Sequence, residues 1–152
     1  MQLYRALDAV MPAYRALFAA HNLTEPQWRV LRVVWECQKT TPHMVSGATP
    51  LHVSEATLIS AQSLVGIVDR MVAKGLLTRL RSVDDRRMVY LLPTPKARAL
   101  AETVLPKVDA IRADIADRLT EAEWETLGAL LSKAGGTKPN EKTQVENERT
   151  AG

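Results

Sequence analysis

The stretch Ile59-Ser60-Ala61-Gln62-Ser63-Leu64-Val65-Gly66-Ile67-Val68-Asp69-Arg70-Met71, with its continuation to Pro93, decides the fold. Leu64, Ile67, Val68 and Met71 recur at helical spacing, so one face of a helix is buried. Lys74-Gly75-Leu76 then ends it, because Gly adopts the left-handed conformation that a C-terminal cap needs. Leu76 to Arg81 and Met88 to Leu92 are β-compatible runs. Between them lies Ser82-Val83-Asp84-Asp85-Arg86-Arg87, a polar, Arg-rich turn. A helix buried on one side and followed by a basic hairpin is the build of a winged helix-turn-helix. Such a unit sets its helix in the major groove and its hairpin tip against the backbone or minor groove.

Upstream, Leu3, Leu7, Val10, Tyr14, Leu17 and His21 form one continuous helical seam, a pattern that pairs with another helix or another subunit. Thr24-Glu25-Pro26-Gln27 reads as a capping box opening a second helix, with Trp28, Leu31 and Trp35 on its buried face and Arg29, Arg32 and Glu36 on a different stripe. Thr40 to Ala48 contains Pro42 and Gly47 and reads as a loop. A short helix from Pro50 to about Leu58 precedes the decisive one. Downstream, Thr94-Pro95 starts a long helix marked by Leu100, Val104, Val108, Ile111 and Ile115, which Pro106 is expected to bend. Thr120 to Glu123 repeats the capping box, and Trp124, Leu127 and Leu131 mark a last amphipathic helix. From 135 to 152 no apolar period survives, and a disordered tail is expected.

The 152 residues suit one domain with a proper core, and the predicted class is mainly α with a small β-hairpin wing. No run approaches a membrane span, and the N-terminal stretch lacks a signal-peptide layout. The single Cys37 excludes an internal disulfide framework and suits a reducing cytoplasm. Net charge is only +3, but its distribution is uneven. Arg70 to Arg98 carries eight Lys/Arg against two Asp, whereas Leu100 to Leu131 carries three against seven acidic residues. Positive charge gathered at the hairpin is the footprint of phosphate contact.

Taken in order, these pieces resemble the MarR family of bacterial transcriptional regulators. The matching residues are Leu23 to Leu31, Ser63 to Met71, Lys74-Gly75-Leu76-Leu77, Asp85-Arg86-Arg87 and Leu92 to Ala97, over about the first 130 residues. The start of the second helix is most similar to regulators of aromatic-acid degradation, such as homoprotocatechuate-operon repressors. The resemblance implies a single domain over 1–134, with dimerisation helices at about 1–22 and 95–134 and a winged helix-turn-helix at about 24–93. It implies an obligate homodimer on a pseudo-palindromic double-stranded operator, released by a small-molecule effector. That effector is expected to be a phenolic acid or its CoA thioester.

The resemblance also assigns residues. Asp85 stands where the family braces an Arg entering the minor groove, here Arg87, with Arg86 beside it. Arg79 and Arg81 share a strand face and can follow the backbone together. Ser60, Ala61, Gln62 and Ser63 form the first turn of the reading helix, with Gln62 able to pair bidentately with adenine. Many relatives carry Arg where this chain has Gly66, which shifts specificity toward Gln62, Ser63 and DNA shape. Arg70 fits a phosphate contact and an internal salt bridge equally well. For the effector, Tyr14, Arg15, His21, Trp28 and Arg32 are the candidate lining, an Arg holding a carboxylate between aromatic rings. The same residues also fit plain core or dimer packing.

Competing functions are a winged protein-interaction module that has lost operator binding and a redox-sensing repressor using Cys37. Relatives with a sensing thiol place it near the first helix, and Cys37 lies on the second. His21, His43 and His52 share no metal-ligand spacing, and no metal or cofactor is expected. No nucleophile–base pair or phosphate-cradling Gly loop points to an enzyme.

Overall fold

The computed structural model describes residues 1–40, 47–83, 85 and 87–135. The expected tail from 136 on, most of the Thr40–Ala48 loop, Asp84 and Arg86 lie outside these residues. Six helices and one hairpin follow in the order α1 (Gln2–Ala20), α2 (Glu25–Thr40), α3 (Pro50–Thr57), α4 (Ala61–Ala73), β1 (Leu77–Arg81), β2 (Val89–Pro93), α5 (Pro95–Ala116) and α6 (Glu121–Gly135). The chain is mainly α with a small antiparallel wing, as the sequence predicts. Two compact units are formed, Met1–Ile111 and Arg112 onward.

In the first unit, each element begins or ends where local chemistry dictates. Thr24 and Gln27 cap α2 reciprocally, the Thr24 N–H donating to Gln27 Oε1 at 3.2 Å and the Gln27 N–H to Thr24 Oγ1 at 3.3 Å. α4 stops in a Schellman turn. The Leu76 N–H donates to Met71 O and the Gly75 N–H to Val72 O, both at 2.9 Å, with Gly75 at φ +67°. The Thr94 hydroxyl accepts from the Ala97 N–H at 3.1 Å and opens α5.

The core of this unit packs α2 against α3, α4 and the wing. Leu31, Val30, Val34, Val53, Met71, Leu77, Leu91 and Val104 are its largest fully buried side chains. Two faces differ from expectation. Along α1 the buried residue is Phe18, whereas Leu3 and Leu7 of the predicted seam are exposed. On α5, Ala97 and Ala101 are buried with Val104 and Val108, and Leu100 packs only partly against the cluster. Small alanines let the helix approach closely, which a search for large apolar residues overlooks. The helix continues unbroken through Pro106.

The hairpin pairs Leu77 with Pro93 through Arg81 with Val89. Ala48 adds an isolated bridge to Leu91, so the end of the expected loop joins the sheet. Gly47 makes this approach possible, since a Cβ there would lie 2.2 Å from Leu91 O. In the second unit, Thr120 and Glu123 form the other capping box. Trp124 Nε1 donates to Ala116 O at 3.3 Å, and no residue of α6 is buried.

Candidate functional site

The head of α4 is built on Ser60. Its Oγ accepts the Ser63 N–H at 3.2 Å and donates to Ser63 Oγ at 2.9 Å. The two serine hydroxyls are therefore tied to each other in the cap, while Ala61 and Gln62 stand exposed beside them. A helix N-terminus of this kind carries partial positive charge and favours an anion. Leu64, Ile67, Val68 and Met71 turn inward. Gln62, Val65, Gly66, Asp69 and Arg70 form the outward stripe at steps of three and four. Val65 is 59% exposed, an apolar side chain suited to contact with a thymine methyl. Sequence reading gave Val65 no role because nothing marked it apart from the four core residues.

The corner before α4 is held from α2. Arg29 Nη1 donates to Thr57 O at 3.0 Å while its Nε pairs with Glu25 at 2.9 Å. Ser54 Oγ donates to Ile59 O at 2.7 Å. Leu58 sits at φ +55° in this tight turn. The Glu25–Arg29 spacing was visible in the chain; the reach of Arg29 to Thr57 was not.

On the wing, Arg79 Nη2 pairs with Asp69 Oδ1 at 2.5 Å. This ion pair ties the strand to the outward face of α4, so Arg79 is a latch between the two elements. Arg81 is exposed, and no carboxylate pairs with it among the described residues. The tip closes through Ser82 N–H to Met88 O at 3.0 Å and Met88 N–H to Asp85 O at 2.9 Å. The Asp85 carboxylate accepts the Arg87 main-chain N–H at 2.9 Å. Asp85 thus braces the backbone of the turn, where the family resemblance led us to expect a brace on the Arg87 guanidinium. Arg87 is exposed; Arg86 lies outside the described residues.

The five effector candidates do not share one surface. Tyr14, Phe18 and Trp28 stack in series, with ring centroids 6.2 and 5.7 Å apart. Trp28 is only 4% exposed and belongs to the core. Arg32, one turn further along α2, pairs with Glu36 at 2.7 Å, and Arg15 is exposed. Only His21 borders a cavity of about 690 Å³, whose wall includes Lys74, Leu76, Lys96, Leu100 and Thr103. Lys74 Nζ donates to Asn22 O at 2.8 Å and Gln27 Oε1 at 3.3 Å, and Lys96 Nζ donates to Lys74 O at 3.0 Å. Lys107 Nζ lies 3.2 Å from His21 Nε2. The Lys74 and Lys96 ammonium groups are positioned by neutral oxygen acceptors, which leaves their charge to attract an anion. The sequence hid this convergence, because its lysines come from the end of α4 and from α5, far from His21 in the chain. Cys37 is half-buried against the core. No group of three or more metal-ligating side chains occurs among the described residues.

A family model described as MarR family matches residues 21–88. The chain is 29% identical to the homoprotocatechuate degradative operon repressor of Escherichia coli, over 96% of this chain and 95% of that protein. It is 31% identical to the HTH-type transcriptional regulator FarR of Neisseria gonorrhoeae, over 86% and 84%. Among solved structures it is similar to Bordetella bronchiseptica BpsR, described with regulation of its DNA binding by 6-hydroxynicotinic acid. There the TM-score is 0.74 at 26% identity, covering 90% of this chain and 92% of that one.

Proposed function

Because this chain belongs to the MarR family of DNA-binding transcriptional regulators, we propose that it is a dimeric repressor freed from a pseudo-palindromic operator by a small aromatic acid or its CoA thioester. The observation that carries the DNA-binding part is the Asp69–Arg79 pair, which fixes the outward face of α4 to a basic hairpin. With that geometry, the first turn of α4 at Ser60, Ala61, Gln62 and Ser63 enters the major groove. Arg81 follows the backbone, and Arg86 and Arg87 carry the wing tip to the minor groove or its phosphates. Arg79 acts mainly by holding the two elements together.

Dimerisation is supported by the apolar residues that α1 leaves exposed, Leu3 and Leu7, and separately by Leu130 and Leu131 of α6. A two-fold dimer matches an inverted-repeat operator. The aromatic-acid effector is supported by the names of the repressor and of BpsR above. Its carboxylate is placed on the basic cavity wall of Lys74 and Lys96, with His21 shared between that cavity and the seam of α1. Leu76 and Leu100 offer apolar surface for the ring. Tyr14, Arg15, Trp28 and Arg32 are the alternative lining. Lys74 is also the C-cap of α4, so an anion drawn to it acts on the end of the reading helix.

The test is fluorescence anisotropy of the full chain on labelled DNA from upstream of its own gene. Homoprotocatechuate, 4-hydroxyphenylacetate, 6-hydroxynicotinic acid and phenolic CoA thioesters are then added in turn. Release by one of them, lost in Lys74→Ala with Lys96→Ala, supports both the effector class and the cavity. Release that survives these changes moves the effector to the alternative lining. Tight binding that no compound relieves contradicts the aromatic-acid reading.

A further inference from the structure

We propose that Arg70 is the principal base-reading residue of α4, taking a guanine in each half-site through a guanidinium laid over the bare backbone of Gly66. The proposal rests on the operator-binding reading above and names a specificity determinant within it. Three observations carry it.

The first is position. Helix side chains lean toward the N-terminus, over the turn before their own Cα. Arg70 does so here: a Cβ built on Gly66 would lie 3.6 Å from Arg70 Nη1 and 3.9 Å from Nη2. The charged fork therefore sits beside the middle of α4, one turn back from its own Cα, on the stripe that carries Gln62 and Val65. A side chain at 66 longer than a methyl group would compete for that ground. Gly66 leaves it to Arg70.

The second is freedom from competition. Asp69 is the neighbouring acid on the same stripe, and it is engaged by Arg79 of the wing. No carboxylate pairs with Arg70 among the described residues. The guanidinium keeps its planar array of donors, the geometry that matches O6 and N7 of guanine bidentately. The wing latch keeps the Asp69 carboxylate on Arg79.

The third is the surroundings. Val65, exposed on the same stripe, suits a thymine methyl, and Gln62 suits adenine. The three side chains give the helix face one strong bidentate reader flanked by one apolar and one amide contact. The expected half-site core contains a G·C pair close to a T·A pair.

The experiment compares the full-length chain with Arg70→Lys, Arg70→Ala and Gly66→Leu on an operator panel. In that panel each base pair of a half-site is changed in turn and symmetrically. The wild type is expected to lose about 5- to 150-fold in affinity when one G·C pair is replaced. Arg70→Lys keeps the charge but lacks the planar fork, and should lose that discrimination while other positions keep theirs. Gly66→Leu, with Arg70 intact, should relax the same position by crowding the fork away. If Arg70→Lys retains the full preference and Arg70→Ala weakens all sequences equally, Arg70 is a phosphate contact and the proposal is overturned. Discrimination intact in all three variants overturns it as well. A wild type with no preference for any duplex overturns the operator reading and this proposal together.

Discussion

Two glycines, one inside α4 and one just past its C-cap, should respond to alanine with opposite signs. At Gly75 the backbone lies at φ +67°, and an added Cβ would meet nothing within 4 Å. The cost of Gly75→Ala is therefore conformational, not steric. An L-residue in the left-handed region costs about 1–2 kcal/mol, reduced by about 0.4–1 kcal/mol because alanine also restricts the unfolded chain. The net loss is about 1 kcal/mol. Gly66 lies inside α4, where its Cβ would be in ordinary contact with Arg70. Gly66→Ala should gain about 1 kcal/mol from helix propensity. The two variants should then differ by about 2 kcal/mol, or about 4–8 °C in melting temperature for a chain of this size. Urea unfolding followed by tryptophan fluorescence and by circular dichroism measures this directly. Gly75→Asn should fall between Gly75→Ala and wild type, since Asn tolerates this conformation. A Gly75→Ala protein as stable as wild type would refute the assignment of a left-handed cap that fixes the turn from α4 into the wing.

Other expectations follow from single contacts. Thr24→Ala removes one half of the α2 capping box and should cost about 0.5–2 kcal/mol by chemical denaturation, with Thr24→Ser nearly neutral. Leu31→Ala opens a hole at a fully buried position and should cost about 2–5 kcal/mol, enough to lower the soluble folded yield. In the second unit, hydrogen bonds from the Thr120 N–H and hydroxyl hold the Glu123 carboxyl below the ordinary glutamate range. A depressed carboxyl stabilises the folded form above its unfolded pKa, and that contribution fades as pH falls through the lower folded value. An NMR pH titration should show Glu123 titrating below free glutamate and rising only partway in Thr120→Ala, which keeps the main-chain N–H; a Glu123 that titrates as free glutamate in the unaltered chain would remove the capping explanation. A double-mutant cycle on Asp69 and Arg79 should give only about 0–1 kcal/mol of stability, because both side chains are half exposed. A larger coupling would mean that the latch also supports the core.

Much of this was legible in the chain because it is written in local chemistry. Both capping boxes, the Gly75 stop and the hairpin strands depend on residues within a few positions of one another, and each lies where the pattern puts it. Interactions that cross between elements were not legible. Asp69 and Arg79 look like two solvated charges until the wing folds beside α4. Arg29 looks like half of an intrahelical pair until it reaches Thr57. Phe18 was displaced by a more regular seam that counts spacing and not the aromatic partner, which is Trp28. Ala97 and Ala101 carry too little hydrophobicity to advertise a tight contact. The cavity combines lysines from α4's end and α5 with His21, a convergence that no linear motif encodes.

The measurement that bears most directly on the operator-binding role is the salt dependence of DNA affinity. The full chain is titrated against a duplex from its own upstream region and against a scrambled duplex, at stepped salt concentrations. We predict affinity of about 10⁻⁸ M or tighter for one inverted repeat, at least about a thousandfold preference over the scramble, and a steep linear fall of log K with log salt. Arg87→Ala should weaken binding and flatten that slope by about one. Equal, weak binding to both duplexes, or affinity indifferent to salt, would contradict the account.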